Sequence, residues 1–431
     1  MWQVNVRRRR NRWLAIGFLL LVFVWCFILY KSLSFNYENE SPEHVHSHSI
    51  ASKSAPFLFE IDNLEVFLNK TPVKYNYHIF YYPWYGNPEF DSGQYLHWNH
   101  RRLPHWNRET AARFPQTQHI PPDDIGSNYY PLLGAYSSRS PDIIDKHMRM
   151  IRMSGAGTLA ISWYPPGMAD DNGKSWEDLV PVILNKAAKY KLKVEEEEEF
   201  TKKDLSFFFC SFQIKVCFHI EPYKDRTAAN VITWSYYIFR HYGPHAAFYN
   251  INGKGVFYIY DSYQISVDDW RKNLLHRKND PNAIGYFIGL ILKPNDCKQL
   301  ASSGFHAAYS YFAANSFTEA SNSKNWRSIA RECQPISFIP SVGPGYIDTN
   351  IRPWNSETIR SRNDGKYYRQ MFDDIPQTDD MIVSITSFNE WHEGTQIEPA
   401  IDKQPSNIIT YEKYHQGPWT YIYLTREFIF R

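Results

Sequence analysis

Glu390 and Glu393 stand three residues apart in Asn389-Glu390-Trp391-His392-Glu393-Gly394, directly after the apolar, β-branched run Met381–Phe388. That run has the composition of a strand buried on both faces. On a helical turn the spacing puts both carboxylates on one face; on an irregular strand-to-loop segment both can still point into one cleft. Burying an unpaired charge is costly, so paired carboxylates beside a core point to an active site. The chemistry they suit is glycoside hydrolysis, where one carboxyl protonates the leaving oxygen and the other acts opposite it. A neighbouring carboxylate and apolar Trp391 are expected to raise one of the two pKa values, keeping that group protonated near neutrality. A solvated acidic loop is the plainer account of Glu-Trp-His-Glu taken alone.

Other chemistries fit less well. His392-Glu393 begins like a zinc-protease motif, but the second His that motif needs four residues on is replaced by Gln396. There is no Asp-x-Asp of the kind that holds a cation in nucleotide-sugar enzymes, no Gly-x-Ser-x-Gly elbow and no phosphate loop. No metal or cofactor is therefore expected. Net charge is +2, and much of the basic excess sits in Arg7–Arg10 and Arg12, so no basic face suggests nucleic acid. Aromatic residues make up 17%, with 14 Trp and 31 Tyr. This suits stacking on pyranose rings, and it suits an aromatic-rich core equally well.

The elements that must position the pair alternate along the chain. Strands are predicted at Tyr77–Tyr82, Gly157–Trp163, Ile214–Ile220, Val256–Tyr260, Ile284–Leu290, Gly304–Tyr311, Ile336–Val342 and Met381–Phe388. Amphipathic stretches such as Pro141–Met153, Trp176–Lys189, Thr227–Tyr242, Asn325–Cys333 and Glu357–Met371 lie between them. The pattern predicts an α/β fold, a (β/α)8 TIM-type barrel, with a doubly wound sheet as the competing architecture. In such a barrel functional residues gather at the C-terminal ends of strands. Those ends carry Tyr82 and Tyr85, Trp163, His219, Glu221 and Tyr223, Asp261, Tyr311, Tyr346, and then Glu390, Trp391 and Glu393. The ten residues other than the two glutamates are the candidate substrate contacts, some of them orienting the glutamates rather than touching sugar.

Trp13–Tyr30 is an uninterrupted apolar run of the length at which a spanning helix becomes the default reading. The basic block before it should stay cytoplasmic, which sends the rest of the chain into the lumen. A cleaved signal peptide is the alternative, but the run is long and lacks a small-residue cleavage site. The expected organisation is a cytoplasmic tail at 1–12, a signal anchor at 13–30, a polar stem at 31–70 and a catalytic barrel at 71–431. The five cysteines show neither metal spacing nor a disulfide framework. One segment breaks the barrel pattern. Glu195–Glu199 and the Phe-rich run after it interrupt an ordinary helix-to-strand transition, which would resume at Cys217. An atypical insertion is expected at about 195–216.

Tyr81–Gly86, Ser162–Pro166, Phe218–Tyr223, Ser341–Thr349 and Ser384–Glu398 together resemble glycoside hydrolase family 99, the endo-α-1,2-mannosidases, over roughly Tyr77–Ala400. The tail, anchor and stem look like those of the animal Golgi members. The resemblance implies a single-pass type II Golgi membrane protein with a luminal catalytic domain. It also implies endo-hydrolysis of an internal α-1,2-mannosidic bond in glucosylated high-mannose N-glycans, releasing glucosyl-mannose with retention of configuration. In the family the 2-hydroxyl itself attacks the anomeric carbon, through a 1,2-anhydro sugar. Glu390 matches the residue that deprotonates that hydroxyl. Glu393 matches the acid that protonates the departing oxygen and then activates water. Trp163 matches a family Trp at the subsites for the glucosyl-mannose end. A lectin-like barrel that binds such glycans without turnover is the alternative.

Overall fold

The computed structural model describes residues 72–170, 174–189, 213–278, 280, 283–376, 381–406 and 409–431. The expected tail, anchor and stem lie outside the described residues, as does most of the expected insertion. Among the described residues no helix is long and apolar enough to cross a membrane.

Eight strands form one parallel barrel, in the order expected of the (β/α)8 fold. They are β1 (Lys74–Tyr81), β2 (Ala156–Trp163), β3 (Lys215–Ile220), β4 (Lys254–Ile259), β5 (Gly285–Leu290), β6 (Ala307–Tyr309), β7 (Ser337–Ile339 with Ser341–Val342) and β8 (Val383–Ile385). Neighbours in sequence are neighbours in the sheet, and β8 returns to pair with β1 through Tyr77 opposite Val383. Pro340 splits β7, because proline has no N–H to give to a ladder. The first half pairs with β6 and the second with β8, so the ring closes through the continuous chain of β7. β8 is shorter than the apolar run around it. After Ile385 the regular ladder ends: Thr386 N and Phe388 N still donate to Val342 O and Phe80 O, and the chain then folds on itself, with Ser387 N donating to Thr395 O and Glu398 N to Phe388 O.

The barrel interior explains much of the aromatic content. Phe80 of β1 meets Tyr258 of β4 edge-on at 5.4 Å and lies 4.7 Å from the His219 ring of β3. Buried polar tips are paired across the barrel: Tyr258 Oη with His78 Nδ1 at 2.7 Å, and His219 Nε2 with Tyr309 Oη at 2.9 Å. Such rings combine large apolar area with a polar handle that needs a partner once buried.

Among the described residues, the helices that pack around the barrel are α1 (Pro141–Ser154), α2 (Val180–Ala188), α3 (Ala228–Tyr242), α4 (Val267–Leu274), α5 (Asp296–Ser303), α6 (Trp326–Glu332), α7 (Lys366–Asp373) and α8 (Thr420–Phe430). α1 starts with Pro141 at its first position and ends on Gly155 at φ 85°, where a non-glycine residue would be strained. A Cβ there would also come within 2.5 Å of the Phe430 ring, so Gly155 is where α8 seats against α1 and completes the helical ring. A disulfide joins Cys297 in α5 to Cys333 after α6. It corrects the expectation that the cysteines form no framework: two residues 36 apart meet only because adjacent barrel helices bring them together. In the chain-entropy account a loop of that length is worth about 4 kcal/mol.

The expected insertion also needs correction at its C-terminal edge. Ile214 is buried, and Lys215 and Val216 pair with Thr158 and Leu159 of β2, so the barrel resumes by residue 213 or 214 rather than at 217. The described chain on either side of 190–212 meets directly, Ile214 N donating to Ala187 O at 3.2 Å. Leu192-Lys193-Val194 repeats the apolar–basic–apolar order of Ile214-Lys215-Val216.

Deleting 195–216 is therefore expected to let Leu192–Val194 take the start of β3, leaving a connection of ordinary length after α2. The shortened protein should stay soluble with its melting temperature within a few degrees of wild type. An insoluble or molten product would refute the substitution of one triplet for the other. Replacing Cys297 and Cys333 by Ser is expected to lower unfolding free energy by about 2–4 kcal/mol, read from denaturant midpoints under oxidising conditions.

Candidate active site

The turn that bears the two glutamates is a single 3-10 turn, Trp391–Glu393, with Glu390 as its cap. The Glu390 carboxylate accepts the His392 backbone N–H at 3.1 Å, and Ser387 Oγ accepts the N–H of Glu390 at 2.8 Å. Glu390 caps the turn with non-helical backbone and Glu393 is its last residue, and both line the same cavity. Gly394 closes the turn at φ 62°, tight against Ile347.

This turn is anchored from behind. Asn389 accepts the Tyr82 N–H at 2.8 Å and donates back to the Tyr82 carbonyl at 2.9 Å, which ties it to the end of β1. Tyr85 donates its hydroxyl to the Asn389 carbonyl and accepts the Trp391 N–H. The Trp391 indole N–H reaches Glu398 Oε2 at 3.0 Å, where the Tyr136 hydroxyl also donates at 2.8 Å. The other Glu398 oxygen meets His147 Nε2 at 3.2 Å, and His147 Nδ1 meets the Tyr81 hydroxyl at 3.0 Å. Glu398 and His147 are fully buried, and their polar atoms are satisfied by this network.

In front of the turn lies a cavity of about 200 Å³ at the C-terminal ends of the strands. Five expected site residues line it: Tyr82, Glu221, Tyr311, Glu390 and Glu393. Tyr82 and Tyr311 join hydroxyl to hydroxyl. Glu221 meets His219 Nδ1 at 3.2 Å. The structure does not bring the remaining expected contacts to this lining. Trp163, the last residue of β2, is fully buried against Phe218, Trp234 and Tyr237, outside the barrel. His219 lies beneath the cavity as barrel filling. Tyr85 and Trp391 brace the turn from behind. The Tyr223 hydroxyl donates to Asn230 at the start of α3. Asp261 accepts from Tyr263 and Gln264, both at 2.8 Å, and so shapes its own loop. Tyr346 donates to Asp348 at 2.8 Å, and burial and then the negative charge of Glu393 keep its hydroxyl protonated. Position at a strand end is thus a coarse guide, because alternate residues there face opposite ways.

The sequence reading missed the other nine of the fourteen lining residues. Trp84, His97, His100 and Leu103 come from the long β1–α1 connection, Tyr260 follows β4, and Ile351 and Arg352 follow β7. Asp170 and His392 complete it. The available signal was the length of the connection from residue 82 to 140, since long loops in compact domains commonly carry function. His97 stacks on Trp84 with centroids 4.7 Å apart, and its Nε2 meets Asp170 at 3.1 Å. Burial, then the nearby His100, holds His97 well below the usual imidazole range. His392 is lowered in the same way, by burial and then by His100 and His97. A carbonyl only accepts, so His392 Nδ1 carries the proton it shares with Gly126 O at 2.7 Å.

Both glutamates are shifted upward. Burial pushes Glu393 up to about 7, against the positive charge of Arg352 and helped by Asp348 and Glu221. Burial, then the charge of Glu393, raises Glu390 well above the carboxylate range, against the His392 hydrogen bond and Arg352. Groups this close titrate as a pair. Near neutrality the cleft holds a carboxylic acid beside a carboxylate, which is the equipment for proton transfer in both directions.

The sequence profile of Glycosyl hydrolase family 99 matches residues 72–209 and 196–430, two blocks that overlap within the interrupted segment. The glycoprotein endo-alpha-1,2-mannosidase of Mus musculus is 45% identical over 368 residues, covering 83% of this chain and 74% of the mouse protein. The glycoprotein endo-alpha-1,2-mannosidase-like protein of Homo sapiens is 43% identical over 362 residues, covering 81% and 74%. Among solved structures, a family 99 endo-alpha-mannosidase from Bacteroides thetaiotaomicron superposes with a TM-score of 0.70 at 37% identity, covering 83% of this chain and 97% of the bacterial one.

A raised carboxyl pKa has a consequence for stability. Glu393 holds its proton more tightly folded than unfolded, so its contribution is fully present below about pH 4.5 and is lost as pH rises through about 7. Glu393→Gln keeps the shape and cannot ionise. It is expected to stabilise the fold by about 1–3 kcal/mol at pH 8 and by much less at pH 5. Thermal melts of both proteins at the two pH values check this; an equal shift at both would contradict it.

Proposed function

The chain belongs to glycosyl hydrolase family 99 and is a glycoside hydrolase; from that premise we propose that its substrate is a glucosylated high-mannose N-glycan, cut at the internal α-1,2-mannosidic bond to release glucosyl-mannose. The observation that carries this reading is the carboxyl pair, Glu390 and Glu393, lining one cleft at the mouth of an aromatic-lined barrel.

In this reading Glu390 takes the proton of the mannose 2-hydroxyl as that oxygen attacks its own anomeric carbon. Glu393 gives its proton to the departing glycosidic oxygen. Water then opens the 1,2-anhydro sugar at the anomeric carbon and returns its proton to Glu393, while Glu390 returns the first proton to O2. Two inversions at one carbon leave the configuration retained. Neither carboxylate bonds to carbon, so the pair need not straddle the sugar as in double-displacement enzymes. A Glu393 pKa of about 7 suits a group that serves as acid and then as base. In the free site burial and the repulsion between the two carboxylates keep one proton within the pair. A substrate hydroxyl donating to Glu390 would favour its charged form and move the proton to Glu393. Tyr82, Glu221 and Tyr311 line the cleft and are the expected sugar contacts; His219, Tyr85 and Trp391 are the expected supports.

The proposed setting is a type II Golgi membrane protein with tail 1–12, anchor 13–30, stem 31–70 and a luminal barrel. The Cys297–Cys333 disulfide supports a luminal placement, since disulfides persist in oxidising compartments.

Incubation of the full chain with a glucosylated high-mannose glycan tests the function. Release of glucosyl-mannose is expected, with kcat/KM falling as pH rises past about 7, where the acid of the free enzyme loses its proton. Glu393→Gln should lower kcat by about 10²–10⁴ with little change in KM. Tight binding with no product would instead make the barrel a lectin.

A further inference from the structure

Trp106 is 81% exposed, more than any other large hydrophobic side chain among the described residues. An indole left so open is unusual, because burying it would remove a large apolar area from water. The ring is nevertheless held in place. It stacks on His105 with centroids 3.7 Å apart and meets Trp354 edge-on at 5.2 Å. His105 accepts the Asn107 backbone N–H on its Nδ1 at 2.9 Å. The Trp354 indole N–H donates to the Leu103 carbonyl at 3.0 Å, and the Leu103 N–H donates to the Ile351 carbonyl at 2.7 Å. Leu103 and Ile351 both line the catalytic cleft. The aromatic group therefore stands within a few residues of the cleft wall on both of the segments that build it, at the rim and open to solvent.

Rigid, solvent-facing aromatic rings offer a flat apolar face matched to the C–H face of a pyranose. An enzyme that cuts inside a glycan must accommodate sugars on both sides of the broken bond, and a cavity of about 200 Å³ cannot enclose them all. Continuity with the cleft selects carbohydrate as the occupant. Resting on the endo-glycosidase reading above, we propose that Trp106, fixed by His105 and Trp354, is an outer stacking subsite for a pyranose ring of the glycan beyond the cleaved linkage.

The test compares Trp106→Ala with wild type on two substrates, a whole glucosylated high-mannose glycan and a short aryl glycoside of glucosyl-mannose that reaches only the cleft. The expected result is a KM higher by about three- to tenfold on the whole glycan, with kcat and the short substrate unchanged and Trp106→Phe restoring part of the loss. Whole glycans lacking either the outer arms or the inner core show which side of the cut the ring serves. Titration of the whole glycan into Glu393→Gln, with and without Trp106→Ala, measures the same subsite without turnover. Equal affinity in that pair, or an equal loss on long and short substrates, overturns the subsite. Failure of wild type to cleave the whole glycan overturns the enzymatic reading and leaves the binding comparison to judge the platform.

Discussion

A two-way hydrogen bond between the Asn389 side chain and the Tyr82 backbone holds the end of β8 to the end of β1. The catalytic turn starts at the next residue, so this contact sets where Glu390 begins. It is supported from beneath by Tyr85 and from behind by Glu398, whose two oxygens gather Tyr136, Trp391 and His147. Positioning a reacting group within a fraction of an ångström requires neighbours whose own rotamers are locked, and here the locking is done by fully buried polar groups. A half-satisfied network at that depth would cost more than an apolar core. The catalytic tip and the first barrel strand thus form one unit.

The same burial that orders the tip opposes its charge. Two carboxyls in a cleft with few compensating cations are unfavourable when both ionise, and Arg352 offsets only part of this. The folded protein tolerates that strain because the reaction needs one proton available and one acceptor vacant. Stability spent at an active site in this way is a common trade against activity. The disulfide between α5 and α6 and the seating of α8 on α1 stiffen the ring of helices well away from the cleft.

The interrupted segment shows how a barrel absorbs a change in length. Ala187 and Ile214 meet across it, so the barrel on either side has the geometry of a short connection. Loop-closure cost grows slowly with length. The described residues on either side of it, after α2 and before β3, lie on the face opposite the strand C-termini, where barrels do not place their chemistry.

Much of this molecule was legible in its residues. The eight strands were readable because each is an apolar run bounded by polar turns. The glutamates stood out because charge seldom follows a buried strand without reason. Aromatic content was ambiguous, and the structure divides it: Phe80, Tyr258 and Tyr309 fill the barrel, whereas Tyr82, Trp84, Tyr260 and Tyr311 face the cleft. Strand-end position failed for Trp163, since one step along a strand turns a side chain from the barrel to the helices. The cysteine pair, the Glu398 network and the contributions of His97, His100 and Arg352 had no local signature. Those residues lie far apart in sequence, and what makes them a site or a staple is distance in space. Periodicity and local chemistry, which act between near neighbours, determined the elements and the reacting pair. Which side chains surround that pair was decided only by closing the barrel, because long-range packing selects among orientations that the chain alone leaves equal.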